Sequence, residues 1–466
     1  MSFNIYCFIV LYLLTLYNTG AINYSSGNSE GCFCKLHGEV DDCTCKVETL
    51  DNINNQKIYP RLQSLLSKDY FRYFKVNLKK PCPFWADDSR CALKDCHVDM
   101  CKEHEIPAGL KGTEGKENKY TKEAQGGSCE EQEELGALDT TISAATKEVL
   151  QNWTKYDDAQ ETFCELDDDN ASDLDYVDLL LNPERYTGYK GASPHRIWNS
   201  IYQENCFKPA DPGNSNYGSQ QSLAASYVKA LYKKSDMTGL CLEQRTFYRM
   251  ISGLHTSINL HLSANYLFQD KIGFGEGTWG PNIEEFLNRF DPGSEPQGPQ
   301  RLKNLYFAYL VELRALIKAA PYLLEEEFYT GNDEEDQDVK NGIRDLLTVI
   351  QQAPDQFDES KLFQGNPKEA KKLKEEFRQH FLNVSRIMDC VGCDKCKLWG
   401  KLQTQGMGTA LKILFSGDQI GPHSTVNASH KRKFQLRRTE IVSLFNSFGR
   451  LSSSVHTVEK FRKLLS

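Results

Sequence analysis

Apolar residues recur at helical spacing through most of the chain after about residue 195. In the stretch from 245 to 268 they lie three or four positions apart, at Phe247, Ile251, Leu254, Ile258 and Leu262. This spacing places them on one face of an α-helix. Similar patterns occupy six further segments, at 222–235, 301–324, 340–352, 369–389, 406–415 and 437–465. Alternation typical of strands is scarce, so the sequence predicts a mainly α fold with one helical domain over 61–466.

The segment from 102 to 134 is polar, rich in Gly and Glu, and nearly free of large apolar side chains. Such a segment cannot bury enough apolar surface to order itself. We therefore expect a long flexible loop at about 88–134. Cysteines lie at its near edge, and Cys129 lies inside it.

The N-terminus carries an apolar run from Ile5 to Leu16, with small residues at Gly20 and Ala21. This length is typical of a signal peptide and too short to span a membrane, so we expect residues 1–20 to be removed. No Lys or Arg precedes the run. N-glycosylation sequons fit a secretory route and occur at Asn23, Asn152, Asn170, Asn383 and Asn427.

The chain contains sixteen cysteines, of which Cys7 would leave with the signal peptide. In an oxidising lumen paired cysteines form disulfides by default. A chain of this length can bury a large apolar core and does not need many disulfides for stability. We therefore expect some of the cysteines to take part in a reaction. The formal net charge of −9, with no basic block, argues against a nucleic-acid partner.

A disulfide-stapled segment is predicted at 21–60, where two C-x-C pairs flank a Gly-Glu turn in CFCKLHGEVDDCTC. The simplest arrangement is a hairpin with nested bridges, Cys32–Cys45 and Cys34–Cys43. Its role would be structural.

A second group of cysteines, in the C-terminal third, begins the stretch CVGCDKCKLWGKLQTQG. Zinc and iron–sulfur sites need a fourth ligand that does not follow at suitable spacing. Cys393 and Cys396 form a C-x-x-C motif between a helix ending in RIMD and one expected to begin at LWGKLQ. A thiol in such a motif at a helix N-terminus has a lowered pKa, so the pair is predicted to be a reactive dithiol. Cys390 would then pair with a distant cysteine.

A third group contains overlapping C-x4-C pairs, because Cys96 can close a ring with Cys91 or with Cys101. Alternative disulfides of Cys96 indicate a switch between two bonding states rather than a fixed structural bridge. Since this group adjoins the polar loop, its dithiol could travel to another site.

Two dithiols only exchange electrons between sulfurs, so net disulfide formation needs a redox cofactor and an oxidant. Flavin is the obvious lumenal cofactor. The stretch GEGTWG, from Gly275 to Gly280, matches the dinucleotide fingerprint literally. No βαβ pattern surrounds it, so we interpret it as a loop and expect a helical bundle to hold any flavin.

Five motifs carry a specific resemblance across nearly the whole chain: CVGCDKCKLWGKLQTQGMGTALKILF, CPFWADDSRCALKDC, NPERYTGYKG, FYRMISGLH and RLKNLYFAYLVELRAL. With them the chain resembles the endoplasmic reticulum oxidoreductins of the animal type. The resemblance implies an FAD-dependent thiol oxidase that reoxidises protein disulfide isomerase, passes electrons to oxygen and forms hydrogen peroxide. It also implies a monomer in the lumen of the endoplasmic reticulum, with peripheral association with the lumenal face of the membrane.

The resemblance also assigns the cysteines. It implies an outer shuttle pair, Cys91 and Cys96, and an inner pair, Cys393 and Cys396, of which Cys396 faces the flavin. The implied structural bridges are Cys82–Cys390 and Cys206–Cys241, and the implied regulatory bridges are Cys91–Cys129 and Cys96–Cys101. Cys164 is left as the spare thiol.

For FAD the resemblance implies seven residues: Arg185, Thr187, Trp198, Ser252, His255, Arg289 and Arg301. Guanidinium groups suit a pyrophosphate, and aromatic side chains can stack on rings. Judged alone, His255 and Trp198 would be packing residues, and Arg289 and Arg301 would be surface charges. The stretches ASPHR and GFGEGTWG depart from the family pattern. The competing interpretations are a non-catalytic secreted glycoprotein with structural cysteines only, and a zinc-binding module.

Overall fold

The computed structural model describes residues 47–85, 96–111, 162–166, 174–205, 241–268, 277–353, 357–364, 367–416, 420 and 434–466. The described helices are α1 (Val47–Ile53), α2 (Tyr59–Leu66), α3 (Asp69–Arg72), α4 (Ala192–Gln203), α5 (Cys241–Ala264), α6 (Ile283–Phe290), α7 (Gly298–Leu323), α8 (Asp333–Ile350), α9 (Pro367–Ile387), α10 (Asp394–Phe415) and α11 (Arg438–Leu465). The predicted mainly α fold is confirmed. The helix predicted at 222–235 lies outside the described residues.

The strands in the described ranges form two short antiparallel pairs. In the first, β1 (Tyr73–Val76) pairs with β2 (Asp175–Asp178), and Tyr73 lies opposite Asp178. In the second, β3 (Tyr266–Phe268) pairs with β4 (Thr278–Gly280). The first pair brings the segment before the shuttle cysteines next to the segment that leads into the NPERYTGYKG motif.

Four long helices, α5, α7, α10 and α11, pack against one another and form the centre of the core. Large aromatic side chains on these helices are nearly inaccessible to solvent: Phe247 on α5, Tyr306 and Tyr309 on α7 and Phe448 on α11. Burying a side chain of this size stabilises the fold by about 2–3 kcal/mol relative to leaving it exposed.

Two glycines allow these helices to approach closely. A Cβ atom on Gly253 of α5 would overlap the backbone carbonyl of Asn304 on α7. A Cβ atom on Gly406 of α10 would overlap Ser443 and Ser447 of α11 in the same way. Replacing either glycine by alanine would therefore force the two backbones apart.

The structure corrects three predictions made from the pattern. The helix predicted to continue to Phe268 ends at Ala264, and the chain turns into β3. The GEGTWG stretch, expected to be a loop, contributes β4 in its described part. Residues 102–111, predicted to belong to a flexible loop, pack against the body, because Leu110 is buried and the Gly109 N–H donates to the Thr330 carbonyl at 2.8 Å.

Of the helices in the described ranges, none combines the length and the apolar character needed to cross a membrane.

Candidate active site

The Cys393–Cys396 pair lies at the start of α10 and forms a disulfide, with the two Cα atoms 5.1 Å apart. Cys393 is the N-cap of the helix and fully buried, and its Sγ accepts the backbone N–H of Cys396 at 3.2 Å. The helix begins at Asp394, earlier than the predicted LWGKLQ start, so Cys396 lies in the first turn. The N-terminal amide groups of a helix stabilise a thiolate, as the sequence predicted for this motif.

A second disulfide, Cys82–Cys390, anchors the segment before the shuttle cysteines to the region where α9 ends and α10 begins. The Cα atoms of this pair are 4.4 Å apart, and Cys390 is fully buried. The predicted bridge is therefore confirmed. Two lysines of α10 reinforce the attachment, since Lys397 Nζ donates to the Leu78 carbonyl at 3.1 Å and Lys401 Nζ to the Asn77 carbonyl at 2.9 Å.

Thr187 lies between Cys96, a member of the predicted outer pair, and the Cys393–Cys396 disulfide. Its carbonyl oxygen lies 3.6 Å from Cys96 Sγ, and its hydroxyl lies 3.3 Å from Cys396 Sγ and 3.5 Å from Cys393 Sγ. Thr187 is buried, and Cys96 is also buried. A sulfur of each predicted dithiol therefore contacts the same residue.

Asn182 holds the Cys96–Cys101 segment in this position. Its side chain accepts the Asp99 N–H at 2.8 Å and donates to the Asp99 carbonyl at 2.9 Å. Its own carbonyl accepts the Trp399 indole N–H at 2.8 Å. Because Trp399 lies on α10, one buried asparagine connects the shuttle segment to the helix that carries the inner pair.

A cluster of aromatic rings forms between α4 and α5. Trp198 stacks on His255 with ring centroids 3.5 Å apart and planes inclined by 13°. The Tyr202 hydroxyl lies 2.9 Å from His255 Nδ1. Burial, together with the Arg301 and Arg289 guanidinium groups, lowers the pKa of His255 well below its ordinary value. The imidazole is therefore neutral at pH 7 and suited to stacking.

The cationic groups near this cluster are held by polar contacts. Arg289 donates to Glu285 at 2.9 Å and to Asn259 at 2.7 Å. Arg301 pairs with Glu295 at 3.3 Å. These contacts fix two positive charges beside the Trp198–His255 stack.

Two other predicted flavin residues are held by contacts of their own. Arg185 lies over the ring of Trp279, 5.0 Å from its centroid. Ser252, one helical turn before His255, is buried and accepts a hydrogen bond from Asn304 Nδ2 at 2.9 Å.

No group of three or more His, Cys, Asp and Glu side chains in the described ranges is arranged to hold a metal ion. The zinc interpretation also conflicts with the bonding of the sulfurs, because Cys390, Cys393 and Cys396 are all in disulfides. A disulfide sulfur is not the thiolate that zinc requires.

The position of Cys96 near the Cys393–Cys396 disulfide agrees with the comparison with known families. Residues 57–458 match the family model described as Endoplasmic Reticulum Oxidoreductin 1 (ERO1). This chain belongs to the endoplasmic reticulum oxidoreductin family. Its members are oxidoreductases that take part in disulfide formation. Membership of this family explains why the chain has more cysteine pairs than a fold of this size needs for stability.

Curated relatives of this oxidoreductin match it over nearly their whole length. It is 52% identical over 442 residues to ERO1-like protein alpha of Homo sapiens, covering 94% of this chain and 92% of that protein. It is 51% identical over 480 residues to the Ero1-like protein of Drosophila melanogaster, covering 98% and 97%.

A solved oxidoreductin is also similar. The structure of Ero1p, described as the source of disulfide bonds for oxidative protein folding in the cell, is 29% identical in sequence, with a TM-score of 0.54. The match covers 90% of this chain and 98% of that one. The shared fold supports the family assignment independently of the motifs.

The residues that the resemblance assigned to FAD have a donor set that fits the cofactor. Two fixed guanidinium groups suit a pyrophosphate, and a neutral histidine stacked on tryptophan suits a flat ring. Trp198 and His255, with ring centroids 3.5 Å apart, are the residues that would hold the ring system. Thr187 differs from the other members of the set because its hydroxyl contacts the sulfurs.

Several predicted residues lie outside the described part of the oxidoreductin and stay predictions. They are Cys32, Cys34, Cys43, Cys45, Cys91, Cys129, Cys206, Asn23, Asn152, Asn170 and Asn427, together with the side chain of Cys241. Asn383 is described, lies within α9 and donates to Glu204 at 3.2 Å.

Among the described residues, the cysteines that form no disulfide are Cys101 and Cys164. Cys164, which the resemblance assigned to no bridge, forms no disulfide in this structure. The implied Cys96–Cys101 bridge is not formed in this structure, because Cys96 is in a disulfide while Cys101 carries a thiol. In this structure the predicted regulatory bridge is therefore open.

Sequence reasoning missed Asn182, Trp399 and Tyr202. Asn182 opens the NPERYTGYKG motif, and Trp399 follows the inner C-x-x-C, so both lay within motifs already singled out. Their contacts join segments far apart in the chain, and no local pattern encodes such contacts.

We predict that Cys101 is a slow nucleophile. Burial, together with Asp178 and Glu105 nearby, raises the pKa of its thiol to about 11. A raised pKa means that the thiol stays protonated at neutral pH, and only the thiolate reacts. Alkylation of Cys101 by iodoacetamide, followed by mass spectrometry, should therefore be about 100-fold slower in the native oxidoreductin than in urea at pH 7.5. Equal rates in the two states would contradict this prediction.

Proposed function

We propose that this oxidoreductin is a thiol oxidase of the endoplasmic reticulum lumen that reoxidises protein disulfide isomerase. Electrons pass from the isomerase to Cys91 and Cys96, then to Cys393 and Cys396, then to FAD and oxygen, with hydrogen peroxide as product. The observation that carries the proposal is the contact of Cys96 with Thr187, whose hydroxyl also contacts both inner sulfurs. The similarity to Ero1p, which is described as a source of disulfide bonds for oxidative folding, supports the same role.

The first exchange takes place at the outer pair. A thiolate of the reduced isomerase attacks the Cys91–Cys96 disulfide and forms a mixed disulfide with one of its sulfurs. The second isomerase thiolate then displaces that sulfur, so the isomerase leaves oxidised and the outer pair is reduced. Exchange of this kind moves two electrons and needs no other reactant.

The second exchange takes place between the pairs. An outer thiolate bonds to Cys393 Sγ, the Cys393–Cys396 bond breaks, and its electron pair leaves on Cys396. The other outer thiolate then displaces Cys393, which re-forms the Cys91–Cys96 bridge and leaves both inner sulfurs reduced. The contacts of Thr187 with sulfurs of both pairs support a direct transfer.

FAD would be held by the Trp198–His255 stack, by Arg289 and Arg301, and by Arg185, Thr187 and Ser252. When bound, it supplies a two-electron acceptor that oxygen can reoxidise. The neutral state of His255 favours stacking over ion pairing. The fixed positions of the two arginines favour a bound pyrophosphate.

The proposed location rests on the predicted signal peptide, the sequons and the family. We propose a monomer in the lumen, associated peripherally with the lumenal face of the membrane. The family name and the disulfide of residues 82 and 390 support an oxidising compartment.

The deciding experiment is the visible spectrum of the purified protein under anaerobic conditions. A flavin absorbance band that bleaches when reduced protein disulfide isomerase is added would support the complete electron path. Isomerase with its active-site cysteines alkylated is the control and should leave the band unchanged. A folded, colourless protein would overturn the proposal and favour structural cysteines.

We predict that Cys129→Ala speeds turnover several-fold. In the proposed scheme the Cys91–Cys129 bridge withholds Cys91 from the shuttle pair, and removing Cys129 leaves Cys91 free to bond with Cys96. Oxygen consumption by air-oxidised enzyme with reduced isomerase measures the effect. Cys164→Ala is the matched control, since it removes a thiol that forms no disulfide. A rate equal to that of the wild type would contradict a regulatory role for Cys129.

A further inference from the structure

The Thr187 hydroxyl is a hydrogen-bond donor to the inner pair. Its oxygen lies 3.3 Å from Cys396 Sγ and accepts the Tyr189 backbone N–H at 3.4 Å. The sulfurs of the Cys393–Cys396 disulfide carry no proton, so the hydrogen between oxygen and sulfur belongs to Thr187. Cys396 Sγ is the nearer of the two inner sulfurs.

Hydrogen bonds of the neighbouring residues Tyr186 and Tyr189 hold Thr187 in place. The Tyr189 hydroxyl accepts the Gly392 N–H at 3.2 Å, directly before Cys393, and lies 2.8 Å from Ser193 Oγ. The Tyr186 N–H donates to the Asn265 carbonyl at 3.0 Å. Thr187 is therefore fixed between the end of α5 and the start of α10 and needs little rearrangement to serve as a donor.

The two inner sulfurs differ in their donors. The Thr187 hydroxyl lies nearer to Cys396 Sγ, at 3.3 Å, than to Cys393 Sγ, at 3.5 Å, and within the described residues only Cys393 has a backbone donor as well. Cys393 Sγ accepts the Cys396 backbone N–H at the helix N-terminus. Cys396 Sγ has the Thr187 hydroxyl as its donor. A leaving thiolate departs faster when a hydrogen bond stabilises its charge, because a lower thiol pKa makes a better leaving group.

We propose that Thr187 is a catalytic residue whose hydroxyl stabilises the Cys396 thiolate as the inner disulfide opens. The inference rests on the proposed function, in which the outer thiolate bonds to Cys393, the bond between the inner sulfurs breaks, and the electron pair leaves on Cys396. The Thr187 proton is shared with that sulfur and is not transferred. This role is distinct from binding the flavin, which the family resemblance assigned to the same residue.

The test measures the pKa of Cys396 in the full-length enzyme. Wild type, Thr187→Val and Thr187→Ser are reduced anaerobically, treated with iodoacetamide between pH 5 and 10, and analysed for Cys396 alkylation by mass spectrometry. The neighbouring charges of α10 (Asp394, Lys395 and Lys397) are the same in every variant, so differences report the hydroxyl. A wild-type sample stripped of flavin is run alongside to separate flavin loss from loss of the hydrogen bond.

Removing the donor destabilises the thiolate, so Thr187→Val should raise the pKa of Cys396 by about one to two units. At pH values below the wild-type pKa, alkylation should then be about 10- to 100-fold slower. Thr187→Ser retains the hydroxyl and should behave like the wild type. Identical profiles for valine and wild type would overturn the proposal, and so would equal shifts in the valine and serine variants. Neither result depends on whether isomerase bleaches the wild-type flavin, so failure of the proposed function is recognised separately.

Discussion

Replacing Cys393 by alanine or serine is expected to abolish turnover with reduced disulfide isomerase. Cys393 provides one sulfur of the inner disulfide, and it is the sulfur that the outer thiolate attacks in the proposed path. Without it the outer pair has no acceptor, and Cys396 alone cannot complete a two-electron exchange with a disulfide. We expect at least a 1000-fold loss of oxygen consumption, on the scale of losses seen when a nucleophile is removed.

The serine variant separates the redox role of Cys393 from its structural role. Cys393 is the N-cap of α10, and serine is among the preferred N-cap residues, whereas alanine lacks the cap and costs about 1 kcal/mol. Both variants lose the short Cys393–Cys396 cross-link and should melt below the wild type, but Cys393→Ser should melt higher than Cys393→Ala. Both should be inactive. An active serine variant would show that electrons reach oxygen without the inner disulfide.

The helices of this oxidoreductin could be predicted from the sequence because their apolar stripes are long. The segments at 301–324, 369–389 and 437–465 coincide closely with α7, α9 and α11. The pattern failed where tertiary contacts decide the structure. Residues 102–111 look unable to order by themselves, yet Leu110 and the Gly109 N–H find partners in the body of the protein.

The candidate active site, like the fold, could be predicted from the sequence only in part. Cysteine spacing predicted a reactive C-x-x-C at a helix N-terminus and a switch among overlapping pairs. The Cys82–Cys390 bridge, which spans 308 residues of sequence, came only from the family resemblance. The contact of Thr187 with sulfurs from two distant segments could not be predicted from spacing, because packing brings those segments together.

The same long bridge leads to the largest expected change in stability. Replacing both Cys82 and Cys390 by alanine removes a cross-link that closes a loop of about 300 residues in the unfolded chain. Chain-entropy arguments give a loss of about 6 kcal/mol for such a loop. This corresponds to roughly a 10,000-fold change in the unfolding equilibrium and a fall in melting temperature on the order of 5 °C.

Cys164→Ala is the matched control for this loss, since it removes a buried sulfur that closes no loop. Its cost should be no more than about 1–2 kcal/mol. Thermal melts of the double variant and the control, followed by circular dichroism without reductant, measure the difference. Equal melting temperatures would show that the bridge contributes only its packing. Because the bridge also anchors the segment before the shuttle cysteines, turnover measured well below the melting temperature should fall in the double variant and stay unchanged in the control.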